Sequence, residues 1–585
     1  MTTSQGKLVS VAEFTIKPSG LFIKEGEIEA RVCGAIWHLG VAARADGSGA
    51  ADIIRFTDGR GIRRELTLYR RDALRGAKTF ESLADQGFEV PQSSTDRARI
   101  LSYLAKCRQH AKRQYLLASR MGWHEDAFVI GRKVFSADPA DRVRLDGPIA
   151  NAIDKFGSAG TLADYQKNVL RRCQYSYRLL TGVSLALLAP LARHMHLENG
   201  GLNIVGPAGI GKTTILRVIG SFWGGGPVDY HQSWLLTDNA PETLGLLHCD
   251  LPLLLDELDL LESDRNKAGG RLKAIVHRLS IGQGKARSHH SHASLAGLSD
   301  FHVIFASTSE HWLPDFMREG NSSMTGGQVA RFVDVPADAG QGRQIFEKLP
   351  SRHGKPITPE EYLSRINRAC ETYYGVAGRA YLERLVHDLS TQRGALLASL
   401  KGDMDAFEKE VATDNRVDPR IRRRFGALYA AGQLGLRYGL LPPQCDQFME
   451  AVGSCFRDAV AHLTFTSGIS GGKLTEALQR FLDAHKERVF RVGGGGRLTE
   501  KRFKKSIGVR PDRKRHGNVL WRRTSAFREL FVDDHERVAK QLADEGVLSS
   551  TPSGHFTRQQ RVPDLSTKEY FYVINRDQLR SPNTL

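Results

Sequence analysis

The sequence predicts an α/β protein built on a parallel sheet with helices on both faces. Three observations carry this. Short, largely apolar runs at Leu202–Val205, Leu251–Leu255 and Phe301–Ala306 alternate with helical patterns at Leu162–Gln174, Leu179–Leu191 and Thr213–Trp223. Strands buried on both faces read as continuous apolar runs and need helical crossovers between them. A glycine-rich turn joins the first of these strands to the helix after it, and the second strand ends in two acids, Asp256 and Glu257.

The turn, Gly206-Pro-Ala-Gly209-Ile-Gly211-Lys212-Thr213-Thr214, matches the G-x-x-x-x-G-K-[ST] phosphate loop. Strand before and helix after are the context that this motif requires. Gly206, Gly209 and Gly211 let backbone N–H groups curl around the phosphates of ATP at the positive end of a helix. Lys212 adds a point charge at the γ-phosphate, and Thr213 offers its hydroxyl to Mg²⁺.

Asp256 falls 44 residues after Lys212, at the end of Leu251-Pro-Leu-Leu-Leu255. There Asp256 would hold Mg²⁺ through water and Glu257 would polarise the attacking water, the step that a mere nucleotide binder lacks. Solvated acids capping a buried strand are the plainer reading of Asp-Glu alone, and the nearby phosphate loop weighs against it. The third strand ends at Ser307-Thr308-Ser309-Glu310, where Thr308 or Ser307 would sense the γ-phosphate, unless this is only a helix cap.

Around this core (residues 156–345), an N-terminal α+β domain is expected at 1–155, a helical lid or linker at 346–465 and a basic C-terminal domain at 466–585. In the first, alternating runs at Ala30–Leu39, Asp52–Phe56 and Glu65–Tyr69 precede a helical pattern from Thr95 to Leu117. Its arginines at 55, 60, 63, 64, 70, 71 and 75 read as a solvated sheet face at least as readily as a nucleic-acid contact. Helical patterns recur at Pro359–Tyr374, Tyr381–Leu400 and Ile421–Tyr438, and the chain closes on an alternating run, Tyr570–Asn575.

Composition narrows the function. The 585 residues are 41% hydrophobic and 25% charged, ordinary globular usage, which sets aside collagen-like, coiled-coil and wholly disordered readings. The net charge of +18 favours a polyanionic partner. Seven cysteines without a CxxC pair argue against a disulfide framework and a cysteine zinc site. The most apolar stretch, Leu179–Ala192, is shorter than the roughly 20 helical residues that span a bilayer. With no signal pattern at the start, a cytoplasmic protein that does not enter membranes is expected.

The charge is concentrated. Residues 486–523 hold 14 Lys or Arg against 3 acids, a net +11, more than half of the chain's surplus. Lys501, Arg502, Lys504, Lys505, Arg513, Lys514 and Arg515 therefore read as phosphate-backbone contacts of DNA. Phe503 and Trp521 lie among them, and core packing explains them better than base stacking. A second cationic run, Gly282-Gln-Gly-Lys285-Ala-Arg287-Ser-His289-His290, reads as a loop tip in which Lys285 and Arg287 meet DNA; a His metal site there is the weaker alternative. Arg331, in Gln328-Val-Ala-Arg331, would act on a neighbouring subunit as an arginine finger. Arg422, Arg423 and Arg424 would supply a sensor to the nucleotide.

Taken together, Gly122-Trp123-His124, the GPAGIGKTT loop, Leu255-Asp256-Glu257, Gly282–Arg287, Ser307–Glu310 and Gln328–Arg331 resemble domain-of-unknown-function family 927 of bacteria and phages. The likeness runs from about residue 15 to 345, and more loosely to 440. That family is similar to AAA+ (ASCE) ATPases of mobile elements, some of them self-loading helicases related to superfamily 3 and minichromosome-maintenance motors. The resemblance implies a P-loop AAA+ core, a hexameric ring, and Lys285 or Arg287 on a hairpin pointing into its channel. The last 120 residues match only a generic winged-helix pattern. The reading that follows is an ATP-hydrolysing DNA motor, a ring-forming replicative helicase acting on single-stranded or forked DNA. The competing readings are an AAA+ remodeller or defence regulator acting on a protein partner, and a nucleotide-gated DNA-binding protein.

Overall fold

The computed structural model describes residues 9–45, 47–74, 76–138, 143–145, 154–237, 239–282, 300–319, 322, 326–340, 342–352, 355–415, 417–466, 478–479, 482, 489–491, 499–500, 503, 506–511, 519–523, 535–544, 546–549, 555–562 and 568–577. The chain opens with an antiparallel meander, β1 (Val9–Val11), β2 (Phe14–Lys17), β3 (Gly20–Glu25) and β4 (Ile28–Cys33). Next come β5 (Ile36–Ala43), β6 (Ala51–Thr57) and β7 (Arg63–Tyr69), then helices α1 (Arg70–Ala73), α2 (Gly76–Asp85) and α3 (Ser94–Gln109). Strand β8 (Gln114–Ala118), the small sheet β9 (Gly122–His124), β10 (Ala127–Ile130) and β11 (Lys133–Phe135), and β12 (Val143–Leu145) complete this part. One sheet is ordered β12-β8-β5-β6-β7.

Two expectations here need correction. The run Ala30–Leu39 is two strands in different sheets, interrupted at Gly34-Ala35. The helix expected to Leu117 stops at Gln109, and Gln114–Ala118 returns as β8, because Tyr115 and Leu117 alternate into a small core. Four of the seven clustered arginines pair with acids close by in sequence or across the sheet. Arg55 pairs with Glu65 at 2.7 Å, Arg64 and Arg60 with Asp58 at 3.2 and 3.7 Å, and Arg71 with Asp72 at 3.8 Å, as a solvated face would.

The central part runs through α4 (Leu162–Asn168), α5 (Tyr177–Ala192), β13 (Gly200–Val205), α6 (Lys212–Trp223), β14 (Gln232–Ser233), α7 (Ala240–Leu247), β15 (Pro252–Asp256) and α8 (Arg265–Ile281). Then follow β16 (Ile304–Ser309), α9 (Leu313–Glu319), α10 (Gly326–Val329) and β17 (Phe332–Pro336). Its sheet is ordered β14-β15-β16-β13-β17 and every pairing is parallel. All six residues of β13 are buried. One face packs Leu202, Ile204, Leu254 and Val335 against α5 and α6, and the other packs Leu253, Leu255, Phe305 and Phe332 with Leu272 and Phe316.

Helix α5 carries a proline in its interior, Pro190. The missing N–H orphans the carbonyl one turn earlier, and the Trp223 indole donates to that Ala186 oxygen at 3.1 Å. A second indole, that of Trp123, donates to Pro190 O at 2.7 Å and ties β9 to the same helix.

After a short hairpin, β18 (Ser351–Arg352) and β19 (Lys355–Pro356), the chain becomes helical: α11 (Pro359–Thr372), α12 (Val376–Thr391), α13 (Arg393–Glu410), α14 (Pro419–Arg437) and α15 (Phe448–Thr466). The pattern expected as one helix over 381–400 is two, broken at Gln392. These helices share one hydrophobic cluster with α5, α6 and β13. The described C-terminal residues form β20 (Val489–Arg491), β21 (Gly508–Arg510), β22 (Val519–Arg523), α16 (His535–Asp544), β23 (Thr557–Arg561) and β24 (Lys568–Asn575), with sheet order β20-β21-β22-β24-β23. Phe503 is buried here with Val509, Val562 and Phe571, a core residue as expected.

Candidate functional site

The glycine turn runs from the C-terminal end of β13 to the N-terminus of α6, a 12-residue helix. Gly209 and Gly211 have φ of +77° and +107°, conformations that side chains rarely adopt. A Cβ on Gly211 would also lie 2.9 Å from Leu363. The loop is thus shaped by its glycines, and the free N–H groups of α6 face the space where phosphates would sit. Lys212 Nζ rests on the loop's own carbonyls, Gly206 O and Pro207 O, the latter at 3.0 Å. Half-burial pulls its pKa below the ordinary value, opposed by the carboxylates of Glu310, Asp256, Asp259 and Glu257. A phosphate would replace those carbonyls as its partner.

Helix α6 and strands β15 and β16 deliver the remaining polar groups. Thr213 Oγ1 donates to Asp256 Oδ2 at 3.0 Å, across the intervening strand β16. From β16, the Thr308 hydroxyl donates to Asp256 Oδ1 and accepts the Glu257 N–H at 2.9 Å. Glu257 itself is exposed and sits at φ +59°, the left-handed region. Backbone strain of this kind costs roughly 1–3 kcal/mol and concentrates at functional sites. It turns the chain off the line of β15 directly after Asp256.

Of the two sensor choices, Thr308 faces the site. Ser307 points to the opposite face of the strand, where its Oγ accepts the Trp234 indole N–H at 2.8 Å. The hydroxyl of Thr213 and the carboxylate of Asp256 are hard oxygen ligands of the kind Mg²⁺ takes, with phosphates and waters completing its shell. Among the described residues no group of three or more His, Cys, Asp or Glu could hold a metal ion.

Motif reading missed His231. Its Nε2 lies 3.6 Å from Asp256 Oδ2, and burial lowers its pKa against the pull of Asp229 and Asp256. A lone histidine before an edge strand carries no spacing signal, and only the β14–β15 pairing brings it here.

Arg331 lies elsewhere. It precedes β17 at the N-terminal end of the strands, with Phe332 level with Gly201 and Pro336 level with Val205. Arg331 is thus level with Gly200, six residues before the loop, and at about 3.3 Å per residue that is some 20 Å below it, so it cannot serve its own chain's phosphate site. The arginines of α14 are a correction. Arg422 meets Glu408 and Asn415, Arg423 donates to Met195 O, and Arg424 donates to Ala330 O, all away from the loop. They do not reach this chain's nucleotide position, because α14 packs along α5 and its first turn meets the bottom edge of the sheet. Lys285, Arg287, Lys501, Arg502, Lys504, Lys505, Arg513, Lys514 and Arg515 lie outside the described residues. No helix among the described residues is long and apolar enough to cross a membrane.

A glycine loop at the end of a buried parallel strand, with an acid and a threonine converging on its helix, is a P-loop-like core in a mixed α/β protein. A family model described as Domain of unknown function (DUF927) matches residues 23–293, which takes in the loop and Asp256-Glu257 and ends before Thr308 and Arg331. No curated protein matches the sequence. Among solved structures, the chain is similar to one titled "SCCmec type IV Cch - active helicase", with a TM-score of 0.59 and 14% identity over 98% of this chain and 100% of that one. At that identity the likeness is one of fold. A second, "The A form apo structure of NrS-1 C terminal region-CTR", has 10% identity over 67% and 83% of the two chains and a TM-score of 0.27, too low to carry an argument.

Proposed function

We propose that this chain is an ATP-hydrolysing DNA motor, a ring-forming replicative helicase of a phage or mobile element, with an AAA+ core and a winged-helix-like C-terminal part. The observation that carries the reading is the convergence of Thr213, Asp256, Thr308 and the Glu257 backbone at the mouth of the glycine loop. Loop N–H groups and Lys212 bind and orient the triphosphate. Thr213 and, through water, Asp256 would hold Mg²⁺, which would supply charge neutralisation at the phosphates. Glu257, exposed beside the loop, accepts a proton from the water that attacks the γ-phosphate. Thr308 holds Asp256 and Glu257 in register. Arg331 completes the site of the next subunit in a ring, for which a hexamer is the expected form. Lys285 and Arg287 act on DNA within that ring, while the seven basic residues between Lys501 and Arg515 supply affinity for the phosphate backbone.

The fold shared with a solved helicase supports this reading, as do the net +18 and its concentration in residues 486–523. The test is ATP hydrolysis and strand separation on forked DNA across a salt series. DNA-stimulated hydrolysis with unwinding, and affinity that falls steeply with salt, is the expected outcome. Hydrolysis indifferent to DNA, with a dedicated protein partner, would give the remodeller instead. Hydrolysis that changes DNA affinity without unwinding would give a gated DNA-binding protein.

A further inference from the structure

The end of the parallel sheet opposite the glycine loop holds a network that the motifs do not explain. Arg424, on α14, is only 5% exposed, and its guanidinium is spent on backbone carbonyls: Ala330 O at 2.7 Å and Glu198 O at 3.5 Å. Ala330 is the residue immediately before Arg331. Glu198 is the residue whose carboxylate holds Arg331, Oε2 to Nε at 2.9 Å. One buried side chain therefore grips the backbone on both sides of the Arg331 guanidinium.

Local sequence makes room for this. A Cβ on Gly200 would lie 2.2 Å from Arg424 Nη2 and 2.5 Å from Arg331 O, so only glycine lets the guanidinium lie against this strand. On the outer side, a Cβ on Gly327 would lie 3.5 Å from Arg420 Nη1 and 3.8 Å from Arg331 Nη1. Arg420 is fixed by Asp418 at 2.8 Å. Burying a guanidinium is costly, and here desolvation brings its pKa down to about 10. An apolar side chain of similar volume would fill the same space at lower cost, so a packing role alone does not account for Arg424.

We propose that Arg424 is a positioning residue that sets Arg331, with Glu198 as its resting partner, for the nucleotide site of a second copy of this chain. The proposal rests on the reading of Arg331 as a trans-acting finger. It adds that helix α14 carries the brace, so that a movement of the helical region relative to the sheet would move the finger. In the free chain the pair with Glu198 points the guanidinium. In the assembly, the neighbour's phosphate displaces the carboxylate while Arg424 keeps the backbone in place. Arg424 itself touches no nucleotide.

Subunit mixing tests this on the full-length chain, with ATP hydrolysis at fixed total protein as readout. Arg424→Met keeps the volume and removes the donors. Alone, it should bind ATP as the wild type does and hydrolyse it as slowly as Arg331→Ala. Mixed with Lys212→Ala, which cannot use its own site but keeps an intact finger, it should recover to several times the mean of the two separate preparations. A merely structural defect would leave the mixture at that mean. Arg424→Lys retains the charge but not the two-carbonyl grip, and should fall between wild type and Arg424→Met.

Arg331→Ala mixed with Lys212→Ala runs alongside as the control. If that control mixture fails to recover, the finger reading fails. If it recovers and Arg424→Met does not, or if Arg424→Met alone hydrolyses at the wild-type rate, the brace is wrong. Should Arg424→Met not fold, Glu198→Gln decides the matter from the exposed side, where its carboxylate is 48% accessible. Because the neighbour's phosphate must displace that carboxylate, finger donation at or above the wild-type level with ATP affinity unchanged is expected of it. A several-fold loss of donation would show that Glu198 rather than the Arg424 brace sets the finger and would overturn the proposal.

Discussion

Thr213 and Asp256 meet at 3.0 Å although a whole strand, β16, runs between β13 and β15. Thr213 comes from the first turn of α6, beyond the glycine loop that follows β13, and Asp256 ends β15, so the loop and helix carry the threonine over β16 to the acid. Thr308 fills the space between, touching both Asp256 and the Glu257 N–H. The inserted strand thus links the N-terminus of α6 to the end of β15. It supplies a hydroxyl that reports on the acid pair from the side nearest the phosphate loop.

Lys212 and Glu257 should fail in different ways. Lys212→Ala removes the loop's own cation and should weaken ATP binding. Glu257→Gln leaves the loop, Thr213 and Asp256 in place, so binding should persist while hydrolysis falls by about 100-fold or more, the scale of a lost general base. Equilibrium binding of a fluorescent ATP analogue beside steady-state hydrolysis separates the two. Wild-type hydrolysis by Glu257→Gln would refute its assignment as the base.

Thr308 and Ser307 form a matched pair, adjacent in β16 but on opposite faces. Thr308→Val removes the hydroxyl at nearly constant volume and leaves Asp256 Oδ1 and the Glu257 N–H each short of a partner, worth about 1–3 kcal/mol. At about 1.4 kcal/mol per factor of ten, kcat should drop by about 10-fold or more, with KM for ATP little changed. Ser307→Ala loses its contact with Trp234 and a long bond to the Thr308 carbonyl, neither at the phosphate site, and should keep near-normal kcat. Equal effects from the two would mean that the strand, rather than the hydroxyl, matters.

The phosphate loop and the acid pair were legible in the sequence because each is local: glycines at fixed spacing, an apolar strand, two carboxylates. The facing of Thr308 over Ser307 was not, since both end the same apolar run and only pairing with β15 decides which side meets Asp256. Arg424 illustrates the opposite limit. Its motif-level reading as a nucleotide sensor assumed that α14 reaches the loop, whereas the helix lies along α5 and meets the other end of the sheet, a tertiary fact with no trace in spacing. His231 and Glu198 were invisible for the same reason. Strand β8 was missed altogether, because the helical pattern before it runs on into Gln114–Leu117 and hides where the helix ends.

Gly122 should be intolerant of any side chain. Its φ is +84°, and a Cβ there would lie 2.4 Å from Asp250 Oδ2 and 2.5 Å from Cys249 O. Asp250 cannot give way, because its buried carboxylate accepts the Trp123 N–H at 3.1 Å and Arg193 Nε at 3.0 Å. Gly122→Ala therefore combines backbone strain with overpacking and should cost about 3 kcal/mol or more. Urea unfolding followed by tryptophan fluorescence would read it. A loss below about 0.5 kcal/mol would show that β9 is not held by this contact.

Asp334 gives the pH dependence a sign. It is buried in β17, accepting Asn203 Nδ2 at 2.7 Å and the Leu313 N–H at 2.8 Å, and desolvation pushes its pKa up from 3.8 to about 7. Between those values the unfolded chain has released the proton and the folded chain keeps it. Folding then takes up a proton, so this residue's contribution to stability is fully present below about pH 4, is lost as pH rises toward 7, and stays flat above. The slope within that window is at most about 1.4 kcal/mol per pH unit. Asp334→Asn still accepts from Asn203 but sets an amide against the Leu313 N–H, so it should be less stable than wild type at pH 4.5. It cannot titrate, so its deficit should shrink steadily as pH rises to 7. Urea midpoints for both chains at pH 4.5, 6 and 7.5 measure that difference directly, and a constant gap would mean that Asp334 is already ionised in the folded protein.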